Sequence, residues 1–398
     1  MRDSGNYSDI SNAELVGRAA ELREELWKNA AESDRARRLS DDLVARVTAA
    51  GLTRLLTPRK LGGHETPVRT LLDVCVELGR GCCSASWVAG VLNVGNFVVS
   101  LYPDRTREEV WAAHPDARTA LILGAPVRTV RKADGGVRVS GEWPYASGST
   151  HADWIGGLVL ADTGTGPQPH MALMPAAEVC VRDTWHFVGM RATGSHTVVA
   201  EDLFVPAHRL LPYGPLLTGR TDGLVPADRP YRSSLTGVFM VGLIGSMIGG
   251  ASAALQFALE HAPTRRVAGS TYASQADSPA AQLGLAAAAT RLDTAVLHAR
   301  RLADSVDEHA RAGENPSLDV RARARMDATH VVERCRAAVE EIVSVYGSSA
   351  FDESNPLQRI WRDIGVGSRH AGFGMGVPQQ AYGAALVGKD PRELTMML

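Results

Sequence analysis

Apolar positions in the first hundred residues recur at helical spacing. Ser11 and Glu14 form an S-x-x-E capping box, and Leu15, Leu22 and Leu26 follow on one face. In SDDLVARVTAAG, Asp41 and Asp42 occupy a first turn and Gly51 lies just past the end, the start and stop signals of another helix. Pro58 and the Gly62-Gly63 pair in LLTPRKLGGHE interrupt the pattern, and apolar helix resumes over residues 69–101. Near Ala117 the period shortens to two. TALILGAP, VRTVRK, GVRVSGEW, DWIGGLVLAD, HMALMP and HTVVAEDLFVP read as strands that stop after Pro206, with Asp134-Gly135-Gly136 as a hairpin turn. From residue 235 onward the sequence returns to long alanine-rich helices whose charge sits on exposed faces. Residues 233–259 carry no charge and are long enough to span a bilayer, yet Gly237, Gly242, Gly245, Gly249 and Gly250 read as a small face for close packing in a bundle core.

Composition narrows the function classes. With 398 residues, 45% hydrophobic, the chain can bury a large core, which excludes disordered, collagenous and small disulfide scaffolds. A formal net charge of −2 leaves no electrostatic footprint for nucleic acid. Cys75, Cys82, Cys83, Cys180 and Cys335 form no C-x-x-C pair and suit a reducing interior. The opening MRDSGNYSDI lacks the apolar stretch of an export signal, so the expected location is cytoplasmic. P-loop, zincin and G-x-S-x-G hydrolase motifs are missing, and the histidines are too scattered to predict a metal site. GFGMG over residues 372–376 lacks the third spaced glycine of a dinucleotide fingerprint and reads as a turn.

The order helix, strand, helix, together with four local motifs, resembles the acyl-CoA dehydrogenase superfamily. Those motifs are LTPRKLGG at 56–63, EWPYASGSTHADW at 142–154, VGMRATGSHTVVAEDLFVP at 188–206 and LQRIWRDIG at 357–365. The resemblance implies an α+β chain of the acyl-CoA dehydrogenase fold. Its parts would be an N-terminal helical domain (1–117), a central β-barrel-like domain (118–222) and a C-terminal four-helix bundle (223–398), with joints near Ala117 and Gly223. Dehydrogenases of the superfamily carry a carboxylate base shortly after the Arg-Asp that Arg362-Asp363 resembles. Here no Asp or Glu follows until Asp390, and the other known position of the base holds Arg265-Arg266, which cannot act as a base at neutral pH. The stretch does contain His370, and in this it resembles the flavin-dependent monooxygenases, the oxygenase components of two-component hydroxylases.

That resemblance implies a reduced flavin (FADH2 or FMNH2) supplied by a separate NAD(P)H:flavin reductase, with O2 as co-substrate and a flavin C4a-hydroperoxide as the oxygenating species. Ser147 matches the family's aromatic-x-Ser/Thr hydroxyl at flavin N5. His370 would take a proton from the substrate or hydrogen-bond the peroxide. Trp143, Tyr145 and Gly148 would border the flavin ring, although alternation with Val137 and Val139 also fits Trp143 to a strand core. Arg265, beside Arg266, and Ser348 in the Gly347-Ser348-Ser349 turn would meet the flavin phosphate, often across a subunit boundary, in a homotetramer. On the substrate side stand Trp87, Gly95, Asn96 and His370. Where phenol hydroxylases carry a histidine this chain has Gly95 and Asn96, which predicts an enlarged cavity for an aromatic, indole-like or polycyclic natural-product substrate. The alternatives are an N-oxygenase of an amino sugar, which would need Asn93, Asn96 or Asp153 in the pocket, an acyl-CoA dehydrogenase, and a non-catalytic binding member of the fold.

Overall fold

A computed structural model describes residues 10–127, 129–162, 166–218, 233–395 and 397–398. Six helices come first: α1 (Asn12–Glu21), α2 (Arg23–Ala36), α3 (Asp41–Ala49), α4 (Val68–Gly81), α5 (Cys83–Val99) and α6 (Asp104–Trp111). The caps sit where the sequence places them, Ser11 Oγ accepting from the Glu14 N–H and Ser40 Oγ from the Leu43 N–H. α5 is apolar on nearly all sides because it is buried along its whole length, whereas α4 is amphipathic and turns Arg69, Asp73, Glu77 and Arg80 away from its buried face.

The strands are β1 (Thr119–Val127), β2 (Thr129–Ala133), β3 (Gly136–Ala146), β4 (Trp154–Asp162), β5 (Pro167–Pro175), β6 (Cys180–Arg182), β7 (His196–Pro206) and β8 (Leu210–Pro212). They form two four-stranded sheets, ordered β1-β4-β5-β8 and β2-β3-β7-β6, with β1 and β4 parallel and every other pair antiparallel. Gly135, at φ 72°, closes the expected β2–β3 hairpin. The strands do not stop at Pro206: β8 adds to β5 through the pair His170↔Pro212, and β6 adds to β7. Both are three-residue edge strands, too short to display a period of two.

Trp143 lies between the sheets, 1% exposed, and its Nε1 donates to the Leu158 carbonyl at 2.9 Å. Gly157 on β4 leaves it room, since a Cβ there would come within 2.8 Å of the indole.

After α7 (Tyr213–Thr218) come α8 (Leu235–His261), α9 (Pro279–Ala312), α10 (Leu318–Tyr346), α11 (Pro356–Gly367) and α12 (Val377–Leu386). The expected joint near Gly223 lies outside the described residues. α8, the uncharged segment, is surrounded by α4, α5, α9, α10 and α11, so its apolar surface meets protein. A Cβ on Gly90 of α5 would stand 1.9 Å from the Gly242 carbonyl oxygen of α8, so that crossing requires glycine. Cys75, Cys82, Cys83 and Cys335 are buried free thiols, and burial pushes Cys75 up to about 12 and Cys82 to about 11.

Candidate functional site

Where the sheets meet the helices, α5, β1, the end of β3, the 185–195 segment, α8, α10 and α11 enclose a cavity of about 1000 Å³. That is the upper end of the range for ligand pockets, about 300–1,000 Å³. β3 enters it through a register shift between Trp143 and Ala146, with Tyr145 left-handed at φ 63°. Beyond this break the Ser147 N–H turns back onto the Tyr145 carbonyl at 2.9 Å, and Gly148, at φ 74°, donates its N–H to the Thr193 carbonyl at 3.0 Å. These bonds hold Ser147 on the cavity wall.

The Ser147 hydroxyl is part of a larger network. Trp87 Nε1 on α5 donates to Ser147 Oγ at 3.2 Å, Ser147 Oγ lies 2.6 Å from Ser195 Oγ, and Ser195 Oγ lies 2.6 Å from Thr193 Oγ1. Thr193 Oγ1 in turn donates to the Met190 carbonyl at 2.7 Å. Thr193 and Ser195 were not assigned from the sequence. Their signal was present in the RATGSHT run, three small hydroxyl side chains among residues 193–197, but nothing local says which of them face inward. Trp185 and Phe187, stacked with centroids 3.9 Å apart, join the exposed ring of the expected Tyr145 in an aromatic edge of the cavity, and local sequence did not reveal these two.

The floor is set by a joint between distant segments. Asp363 of α11 accepts the Met190 N–H at 2.5 Å, while Arg362 pairs with Asp34 at 2.9 Å and donates to the Val188 carbonyl. Between them Gly189 lies so close that a Cβ would be 2.1 Å from the Arg362 carbonyl oxygen. Burial pushes the Asp363 carboxyl up to about 7 against the lowering influence of the Met190 N–H and of Arg359 and Arg362; Asp34 pushes the same way as burial. The Arg-Asp motif therefore anchors the segment that carries Thr193 and Ser195.

His370 follows α11 and lines the same cavity, its ring 5.7 Å from Trp87 and 5.6 Å from Phe239. Burial, with the Arg325 charge adding to it, lowers its pKa to about 4, so the ring is neutral at pH 7. The Gly372 N–H donates to Nδ1 at 3.0 Å, which places the single ring proton on Nε2. The expected proton-abstracting role thus meets a filled lone pair and a depressed pKa; the hydrogen-bonding role keeps its donor.

Other expected residues lie elsewhere. Gly95 and Asn96 do not line the cavity: a Cβ on Gly95 would be 1.9 Å from the Thr119 carbonyl oxygen, and Asn96 Nδ2 donates to the carbonyls of Thr53 and Ala117. They hold α5 against the start of β1. Asn93 ties down Leu52 and Leu55, and Asp153 receives the Arg118 N–H, so neither supplies a pocket amide or acid. Trp143 is sheet core. Arg265 does meet the Ser348 turn, donating to Ser349 Oγ at 2.6 Å and to the Tyr346 carbonyl at 2.7 Å, but neither Arg265 nor Ser348 lines the cavity. Among the described lining residues the one carboxylate, Glu340, is exposed and engaged by Trp361 Nε1 at 2.8 Å, so no buried carboxylate base faces the cavity.

Helices, paired sheets and a bundle closed around one such cavity are the plan of an acyl-CoA dehydrogenase-type flavoprotein. Residues 16–105 match the family described as "Acyl-CoA dehydrogenase, N-terminal domain", and residues 241–374 match "Acyl-CoA dehydrogenase, C-terminal domain". The chain is 31% identical to the FADH(2)-dependent resorcinol hydroxylase, oxygenase component, of Rhizobium sp. (strain MTP-10005), covering 95% of each. It is 32% identical to the flavin-dependent monooxygenase oxygenase subunit HsaA of Mycobacterium tuberculosis, covering 91% of each. XiaF from Streptomyces sp., solved with FADH2 and glycerol, superposes with a TM-score of 0.90 at 35% identity over 96% of both chains. The chain belongs to the acyl-CoA dehydrogenase family and, within it, to the flavin-dependent monooxygenases. It is an oxidoreductase that works with reduced flavin, a group that the aromatic edge and the Ser147 hydroxyl on the cavity wall fit.

Proposed function

We propose that the protein is the oxygenase half of a two-component system that hydroxylates an apolar aromatic substrate, phenolic or indole-like and as large as a polycyclic natural-product intermediate. A separate NAD(P)H:flavin reductase delivers the reduced flavin, and the cytoplasm, where free thiols persist, is the compartment. The observation that carries this reading is the wall on which Trp87 joins the Ser147 hydroxyl to the neutral His370 ring. When bound, reduced flavin supplies the electrons with which O2 is divided between substrate and water. Ser147 would accept from the flavin N5–H, Tyr145 would border the ring, and His370 Nε2–H would donate to an oxygen or to a polar substituent of the substrate held above it. Val91, Phe239 and Leu243 keep the space dry and favour an apolar ring. Arg265 and Ser348 meet the cofactor phosphate of a neighbouring subunit in a homotetramer. Their place outside this chain's own cavity supports this reading. FADH2 is the form named for the Rhizobium and Streptomyces relatives, which favours it over FMNH2.

The test is incubation of purified protein with photoreduced FAD, ¹⁸O₂ and a panel of phenols, indoles and polycyclic aromatics. One labelled oxygen per hydroxylated product is expected. Label on the nitrogen of an amino sugar and on no aromatic, or anaerobic bleaching of bound FAD by an acyl-CoA, would overturn the reading.

A further inference from the structure

The hydrogen bonds behind Ser147 run in one direction only. The Met190 carbonyl can only accept, and it takes the Trp185 indole N–H at 2.9 Å, the Thr193 backbone N–H at 3.2 Å and, at the shortest separation of the three, the Thr193 hydroxyl proton at 2.7 Å. A hydroxyl has one proton, so Thr193 has none left for Ser195; the bond at 2.6 Å must therefore be donated by Ser195. By the same count Ser195 has none left for Ser147, and Ser147 donates to it across 2.6 Å. Reversing the order would leave Thr193 Oγ1 and the Met190 oxygen 2.7 Å apart with no proton between them. Thr193 and Ser195 are 1% and 4% exposed, so bulk water cannot readily supply a substitute partner. Trp87 Nε1 fills one lone pair of Ser147. What Ser147 presents to the cavity is the other lone pair and no proton.

We propose that Thr193 and Ser195 are positioning residues that fix the Ser147 hydroxyl as an acceptor, so that the site selects reduced flavin, which carries a proton on N5, over oxidised flavin, which carries a lone pair there. This rests on the assignment of Ser147 to N5 made above. A matched acceptor gains a hydrogen bond from the reduced ring, whereas the oxidised ring sets lone pair against lone pair. The difference corresponds to roughly tenfold in relative affinity.

Anaerobic titration with oxidised FAD and with dithionite-reduced FAD measures the ratio of the two dissociation constants. Ser195→Ala frees the Ser147 proton, and Thr193→Val frees the Ser195 proton to turn toward Ser147. Each is expected to shrink the preference for reduced FAD about tenfold, chiefly by tighter binding of the oxidised form. Thr193→Ser keeps the chain and is expected to keep the ratio. The two breaking variants cut different links, so one that folds poorly leaves the other to decide. If both retain the wild-type ratio while Ser147→Ala shifts it, the relay is overturned and the assignment of Ser147 stands. If Ser147→Ala changes neither affinity, that assignment falls and the inference with it.

Discussion

Asp363 offers a quantitative handle on the joint beneath the cavity. In the folded chain its carboxyl is 3% exposed, accepts the Met190 N–H and is pushed up to about 7, against an ordinary value of 3.8. Between those two values the folded protein keeps a proton that the unfolded chain has released. Its contribution therefore favours folding at low pH, declines as pH rises toward 7 and is level above that. Asp363→Asn keeps a carbonyl acceptor for Met190 but has no charge to bury. From pH 5 to pH 8 the wild type loses about two pH units of linkage at this residue, roughly 3 kcal/mol, that the variant does not. His64, His151 and His370, each lowered to about 4 by burial, act in the opposite sense, and the fold loses stability as pH falls from 6.5 toward 4. Both proteins share those histidines, so they cancel in the difference. Urea unfolding followed by tryptophan fluorescence at pH 5 and pH 8 supplies the numbers. Asp363→Asn is expected to be close to wild type at pH 5 and the more stable of the two at pH 8. A difference that stays constant to within about 0.5 kcal/mol across that range would show the carboxylate charged throughout and sink the argument.

Gly189→Ala places a methyl group 2.1 Å from the Arg362 carbonyl oxygen, and a cost of about 1–3 kcal/mol is expected as a lower melting temperature with weaker binding of reduced FAD; an unchanged melt would mean that the joint is loose. Asn96→Leu strips the Thr53 and Ala117 carbonyls of a buried donor, so stability is expected to fall by about 1–3 kcal/mol while preference among aromatic substrates is kept. A changed product distribution would return Asn96 to the pocket. If His370 acts through its Nε2–H, His370→Asn, which retains an amide donor, is expected to preserve product formed per flavin oxidised better than His370→Phe. The latter is expected to divert about tenfold more turnover to H2O2, and equal losses in both would refute the donor role. Coupling in the wild type is expected to be flat through pH 6.5 and to decline only as pH approaches 4, as read from product and peroxide yields.

What the sequence revealed and what it hid divide along physical lines. Capping residues, hairpin glycines and the change of period act over a few positions, so Ser11, Ser40, Gly135 and most strand boundaries were legible. Ser147 and His370 were found through motifs resembling the monooxygenases, and the fold brings both to one cavity with Trp87 between them. Gly95 and Asn96 look like pocket residues in the sequence because a helix pattern cannot say which neighbour lies across from it. Their actual neighbours, Thr119, Thr53 and Ala117, belong to other elements. Thr193 and Ser195 escaped for the complementary reason, since a hydroxyl in a loop acquires a direction only from its partners in space. The tautomer and pKa of His370 depend on Gly372 and on burial, which no spacing encodes.

The bond from Met190 to Asp363 joins positions 173 residues apart, and Gly189 fits the α11 backbone with no room for a side chain. The segments around 188–195 and 358–370 thus behave as a single exchangeable cassette, although a gene map shows them as two. A chimera that takes its sheets from one relative and its bundle from another would separate the halves of that cassette. Recombination points are better placed so that both travel together, and a library built on that rule would vary the other cavity walls while leaving the Thr193 and Ser195 hydroxyls in register with Ser147.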